Sequence, residues 1–112
     1  MSGGRLLGEF EQLVLLAVAR LGEESYGVTV RREIEETADR PVSIGAVYRT
    51  LDRLEEKGFV SSWTGEPTAV RGGRAKRHFR LEEAGARALE ASREMLARMW
   101  EDVELRTEGG GA

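Results

Sequence analysis

Two stretches of the chain carry side chains that could do chemistry. The first is Pro41–Gly58, PVSIGAVYRTLDRLEEKG. Ile44, Val47, Leu51 and Leu54 recur there at helical spacing and form one apolar stripe. The other side carries Gly45, Ala46, Arg49, Thr50 and Arg53, small at the start and cationic further on. Small residues let a backbone approach a surface closely, and arginines one and two turns on can reach phosphates or base edges. The second stretch is Arg71–Arg80, where Arg71, Arg74, Lys76, Arg77 and Arg80 occur with no acid between them. Such a run suits a phosphate backbone, although a solvated hairpin would show the same composition. Tyr48 borders the apolar stripe. It reads either as a core tyrosine or as a hydroxyl that donates to a phosphate.

No catalytic constellation accompanies these cations. The chain has no cysteine and one histidine, His78, so a transition-metal site is not expected. His78 has no nucleophile at any motif spacing and reads as a phosphate or solvent contact. No enzyme activity and no cofactor are expected.

The elements that must position these residues follow from periodicity and punctuation. Met1–Leu7 reads as a loose arm. Glu9–Leu21 reads as a helix whose middle, LVLLAVA, is apolar on nearly every side. It is expected either at the centre of a monomer or between its own domain and a second copy. Ser25 is placed to cap a second helix, Tyr26–Ala38, in which Gly27 costs about 1 kcal/mol relative to alanine. Pro41 separates that helix from the next, Ser43 is a good N-cap, and Lys57-Gly58 reads as a stop. Two helices joined by a short turn make a helix-turn-helix pattern. Phe59–Thr64 and Ala75–Leu81 read as a hairpin around a glycine-bearing tip, Gly65–Arg74. Phe79 and Leu81 fall on one side of it, and Lys76, His78 and Arg80 on the other. Glu82–Leu105 reads as a long last helix with Leu89, Leu96 and Val103 seven apart and Ser92 and Met99 beside them. That seam most easily packs on another chain. Trp100 flanks it with Met95 and Met99, an apolar and adaptable patch that a flat aromatic compound could occupy. Thr107–Ala112 reads as a disordered tail.

The 112 residues fit one domain, and the longest apolar run, Leu13–Ala19, is too short to span a bilayer. The net charge of −3 hides an asymmetry. Residues 1–40 hold five cations and eight acids, residues 41–81 eight cations and four acids, and residues 82–112 four cations and eight acids. A basic middle between acidic ends suits a polyanion on one face.

The runs YGVTVRREIEE, SIGAVYRTLDRLEEKGFV and GGRAKRHFRLEEAGARAL resemble the PadR family of bacterial transcription regulators. The likeness is to the small subfamily with a single C-terminal helix. It spans roughly Leu7–Met99 and is most specific at three points. These are the tyrosine of the third helix, the Leu51–Gly58 run, and the GGR-containing wing before an E-x-x-G helix start. The resemblance implies a winged helix-turn-helix dimer that binds operator DNA, usually as a repressor. It implies DNA contacts at Ser43, Ala46, Tyr48, Arg49 and Thr50, with the Arg71–His78 wing beside them. It implies dimerisation through the last and first helices, and release by a small molecule near the dimer interface. Family members often carry proline at Ile44 and Arg49, an aromatic at His78 and threonine at Glu82. Glu82 is a poorer N-cap than threonine, so the last helix is expected to fray at its start.

The expected architecture is mainly α with a small β-hairpin, a winged helix-turn-helix over residues 8–81 after a 1–7 arm. A dimerisation helix over 82–106 and a 107–112 tail follow. The expected DNA-binding set is Ser43, Gly45, Ala46, Tyr48, Arg49, Thr50, Arg53, Arg71, Gly73, Arg74, Lys76, Arg77 and His78. The expected dimer contacts are Phe10, Leu13, Leu89, Ser92, Leu96, Met99 and Val103. Met95, Met99 and Trp100 are the residues for a hydrophobic or aromatic effector. The expected partners are double-stranded DNA and a second copy of the chain, in the bacterial cytoplasm at the nucleoid. The rival expectation is a winged-helix protein-interaction module whose basic wing meets an acidic protein.

Overall fold

The computed structural model describes residues 7–65 and 75–108. Arg71, Gly73 and Arg74 therefore lie outside the described residues, as do most of the expected arm and tail. The elements are α1 (Glu9–Leu21), a 3-10 turn (Gly22–Glu24), α2 (Gly27–Ala38), α3 (Ile44–Glu56), β1 (Val60–Thr64), β2 (Arg77–Leu81) and α4 (Glu83–Trp100).

α1 is central because its apolar residues cover more than one face. Val14, Leu15, Ala17 and Val18 are buried, and they meet Val30 and Ile34 of α2 and Val47, Leu51 and Leu54 of α3 in one core. Phe59, Val60 and Phe79 close that core from the hairpin. Leu7, expected at the end of a loose arm, is buried in the same cluster, and its carbonyl accepts from Gln12. An apolar side chain with a core edge within reach gains more by burial than the arm gains in freedom.

Local chemistry sets the boundaries. The Ser43 hydroxyl accepts from the backbone N–H of Ala46 at 3.1 Å and starts α3. Gly58, at φ 81°, ends it, with Gly58 N–H donating to Glu55 O and Phe59 N–H to Leu54 O. These two bonds are a Schellman stop, which needs the left-handed conformation that glycine adopts freely. α2 starts differently from expectation. Ser25 is fully buried and donates to Val18 O, so it is a core residue and not the cap. Tyr26 takes the N-cap position, and Thr29 accepts from its backbone N–H at 3.0 Å.

β1 and β2 pair antiparallel from Val60↔Leu81 to Thr64↔Arg77. A third segment adds to the edge of β2: Tyr26 bridges His78, and Phe79 N–H donates to Ser25 O at 2.8 Å. This edge ties the hairpin to the start of α2.

The start of α4 is tied to the hairpin. Glu82 has no side-chain cap bond, but its N–H donates to Phe59 O and its carboxylate accepts from Ser61. Gly85 fits against the same carbonyl, where a Cβ would stand 2.4 Å from Phe59 O. The far end stops earlier than expected, at Trp100. Glu101, Asp102 and Glu104 place three negative charges at the negative end of the helix dipole, and Asp102 turns left-handed at φ 59°. Val103 consequently leaves the helix and the seven-residue seam.

Candidate nucleic-acid interface

The exposed face of α3 carries the groups that could meet a duplex. Gly45 and Ala46 are half-buried at its first turn, and Arg49 is exposed one turn on. Arg49 lies back along its own helix, with Nη1 3.3 Å from where a Gly45 Cβ would stand. It enters none of the ion pairs among the described residues. Ser43 accepts through its oxygen, which leaves its hydroxyl proton free to donate.

Tyr48 is packed on one side and open on the other. Its ring packs on α2, so closely that a Cβ on Gly27 would stand 2.2 Å from Tyr48 Cζ. The same side chain is 39% exposed. The phenol end of the ring meets Gly27, and the residue lines a cleft of about 520 Å3. Tyr26, Thr29 and Arg32 of the α2 region line that cleft with Lys76 and Arg77 of the wing. Lys76 Nζ stands 4.4 Å over the Tyr26 ring and donates to its hydroxyl, while the side chain stays exposed. Arg32 was not among the expected site residues. The sequence signal was an arginine one helical turn beyond the exposed Val28, on the side of α2 away from the buried Gly27, Val30 and Ile34.

Four expected DNA contacts are placed elsewhere. Thr50 is 3% exposed and belongs to the core side of α3, where its hydroxyl accepts from Arg53. Arg53 turns to α1, 3.5 Å from Glu11, and does not pair with Asp52 or Glu56. Lys57 binds the same Glu11 carboxylate at 2.8 Å. Burial pushes the Glu11 carboxyl up, but hydrogen bonds from Lys57, Gly8 and Arg53 prevail and hold it below its ordinary value. Arg77 reaches across the surface from β2 to α3 and binds Asp52 at 3.0 Å and Glu55. Burial lowers its pKa, yet those two carboxylates outweigh it and raise the value above the ordinary one. His78 is a packing residue: it stacks on Trp63 at 5.2 Å and meets Tyr26 edge-on at 5.4 Å. Its Nδ1 lies 3.0 Å from Glu23 O, an acceptor, so that nitrogen carries the proton. Arg80 covers the other face of this stack, 4.8 Å from the Trp63 ring.

The residues expected at a dimer contact differ in exposure. Phe10 and Leu13 pack against the chain's own core, and Arg40 stands 5.5 Å over the Phe10 ring. The exposed apolar residue of α1 is Leu16, at 46%. It shares a cleft of about 410 Å3 with Leu81, Leu89 and Leu96. Ser92 is buried, while Met95, Leu96, Met99 and Trp100 are exposed on the second half of α4. Among the described residues, no group of three or more ligand side chains could hold a metal ion. No described helix is long and apolar enough to cross a membrane.

A helix-turn-helix whose second helix is flanked by a two-stranded wing, with an exposed arginine on its outer face, defines a winged-helix DNA-binding domain. The chain belongs to the transcriptional regulator PadR-like family, whose pattern matches residues 15–91. That family consists of transcription regulators and not enzymes. Solved structures of similar fold include a PadR family transcription regulator from hypervirulent Clostridium difficile. It is 22% identical with a TM-score of 0.65 over 82% of this chain and 91% of that one. A transcriptional regulator from Clostridium thermocellum is 20% identical, with a TM-score of 0.67 over 81% and 85%. RosR of H. salinarum is 24% identical, with a TM-score of 0.65 over 89% and 83%. No curated protein matches the chain in sequence.

Proposed function

We infer that the protein is a homodimeric repressor that binds a palindromic operator and acts in the cytoplasm on the nucleoid. The observation that carries this reading is the outer face of α3. A capped first turn with Gly45 and Ala46 precedes an exposed Arg49 that enters no ion pair among the described residues, and Tyr48 and Lys76 line a cleft shared with the wing. α3 enters a major groove, where Arg49 reads a base edge and Ser43, Tyr48, Arg32 and Lys76 take phosphates. The wing segment with Arg71, Gly73 and Arg74 tracks the neighbouring backbone. Leu16, Leu89 and Leu96 pair with a second copy, which sets the two α3 helices about 34 Å apart, one duplex turn. A small hydrophobic or aromatic effector seated near Met95, Met99 and Trp100 releases DNA if it binds one spacing of those helices better than the other.

Selection from a random duplex pool, at fixed salt and with competitor, tests the reading. A palindrome with half-sites one turn apart is the expected outcome. A pool that stays random defeats sequence-specific binding and turns the basic face towards an acidic protein partner.

A further inference from the structure

Arg77 is the wing cation that the fold has committed elsewhere. It pairs with Thr64, the last residue of β1, so it sits where the strand ladder ends and the wing tip begins. Below it, Val60 and Phe79 anchor the hairpin in the core. Its guanidinium stands 4.8 Å over the Phe79 ring, while Trp63 and Thr64 at its own level are exposed. The link from the hairpin to α3 at this height is polar. Arg77 donates to Asp52 at 3.0 Å, to Glu55, and through Nε to Ser62 at 3.3 Å. Ser62 in turn donates to Glu55 at 2.7 Å. One cation thus faces two carboxylates, and the cluster is net negative, the wrong sign for a phosphate.

We propose that Arg77 is a positioning residue for DNA binding and not a contact. Held by Asp52 and Glu55, it fixes the angle at which the wing leaves the recognition helix. The proposal rests on the DNA-binding reading above. Its chemistry requires arginine, because three N–H groups of one planar fork reach three acceptors on two elements. A lysine ammonium, compact and strongly hydrated, cannot span them. The carboxylates then have a use on a DNA-facing protein that their charge alone would make a liability.

The test uses the duplex that the parent enriches from a random pool and the same duplex with its bases shuffled. Asp52→Asn with Glu55→Gln removes two negative charges, which by electrostatics alone favours DNA. We expect the enriched duplex to be bound about fivefold more weakly and the shuffled duplex no more weakly. Arg77→Gln should lose the same preference while binding the shuffled duplex like the parent, and Arg77→Lys should not restore it. Binding of the enriched duplex as tightly as the parent, by the carboxylate variant or by Arg77→Lys, overturns the proposal. Should the double variant melt below the assay temperature, Arg77→Lys gives the same decision. A parent without sequence preference overturns the functional reading itself, and the proposal with it.

Discussion

Gly27 is the least forgiving position in the interface. Alanine would normally gain about 1 kcal/mol in a helix interior. Here its Cβ would fall 2.2 Å from the tip of the Tyr48 ring, so the ring or the helix must shift. Gly27→Ala should therefore destabilise the fold by about 1–3 kcal/mol, as overpacked cores do, and weaken DNA binding because Tyr48 moves. Tyr48→Phe separates the two effects: the melting temperature stays near the parent's while affinity falls with the lost hydroxyl. A Gly27→Ala protein as stable as the parent would show that Tyr48 is not held by this contact. Glu11 makes a second prediction at this scale. Its carboxyl titrates below the ordinary value of 4.5 in the folded chain, so the unfolded chain takes up the proton first on acidification. The stabilisation is complete above the unfolded value and is lost as pH falls through the lower, folded one. Glu11→Gln should lower stability at neutral pH by about 1–2 kcal/mol. The gap to the parent should close as pH falls below the ordinary carboxylate range, read by urea unfolding at a series of pH values.

At the scale of elements, α4 divides in two. Its first half lies on the chain's own core through Gly85, Ala88 and Leu89, while every residue from Arg93 to Trp100 is exposed. Leu16 of α1 faces the same cleft as Leu96. In the proposed dimer this strip is covered, so Leu96→Glu should convert the protein to a monomer in sedimentation. Val103→Glu should leave the dimer intact, because Val103 lies past the helix end. The helices and the hairpin were legible from periodicity and punctuation, because Ser43, Gly58 and the Val47–Leu54 stripe each answer to one local rule. What was not legible depended on partners distant in sequence. Charge density pointed Arg77 at DNA, but Asp52 and Glu55 stand 25 and 22 residues away. A lone histidine among cations looked like a phosphate contact until Trp63 and Tyr26 closed on both sides of its ring. Ser25 looked like a cap because capping is local, whereas the carbonyl it binds belongs to the preceding helix. The acids after Trp100 were the readable signal that the heptad would not continue.

For the whole molecule, the proposed assembly makes dimerisation and DNA binding one equilibrium. Each subunit presents one α3, and two half-sites are engaged together only if α4 holds the subunits at a fixed spacing. The second contact then forms at the effective concentration set by the dimer, which commonly gains about 100-fold to 10,000-fold over one half-site. Leu96→Glu should therefore lose about 100-fold or more of its affinity for a full operator although no DNA-facing residue has changed. Its affinity for a duplex carrying one half-site should equal the parent's. Changing the DNA gives the complementary experiment. About five extra base pairs between the half-sites turn one of them to the opposite side of the duplex, roughly half a helical turn. The parent dimer should then bind the altered operator no better than a single half-site, whereas the Leu96→Glu monomer should not distinguish the two operators. If the parent is also indifferent to the insertion, the subunits are not held at a fixed spacing, and the exposed half of α4 serves something other than operator geometry.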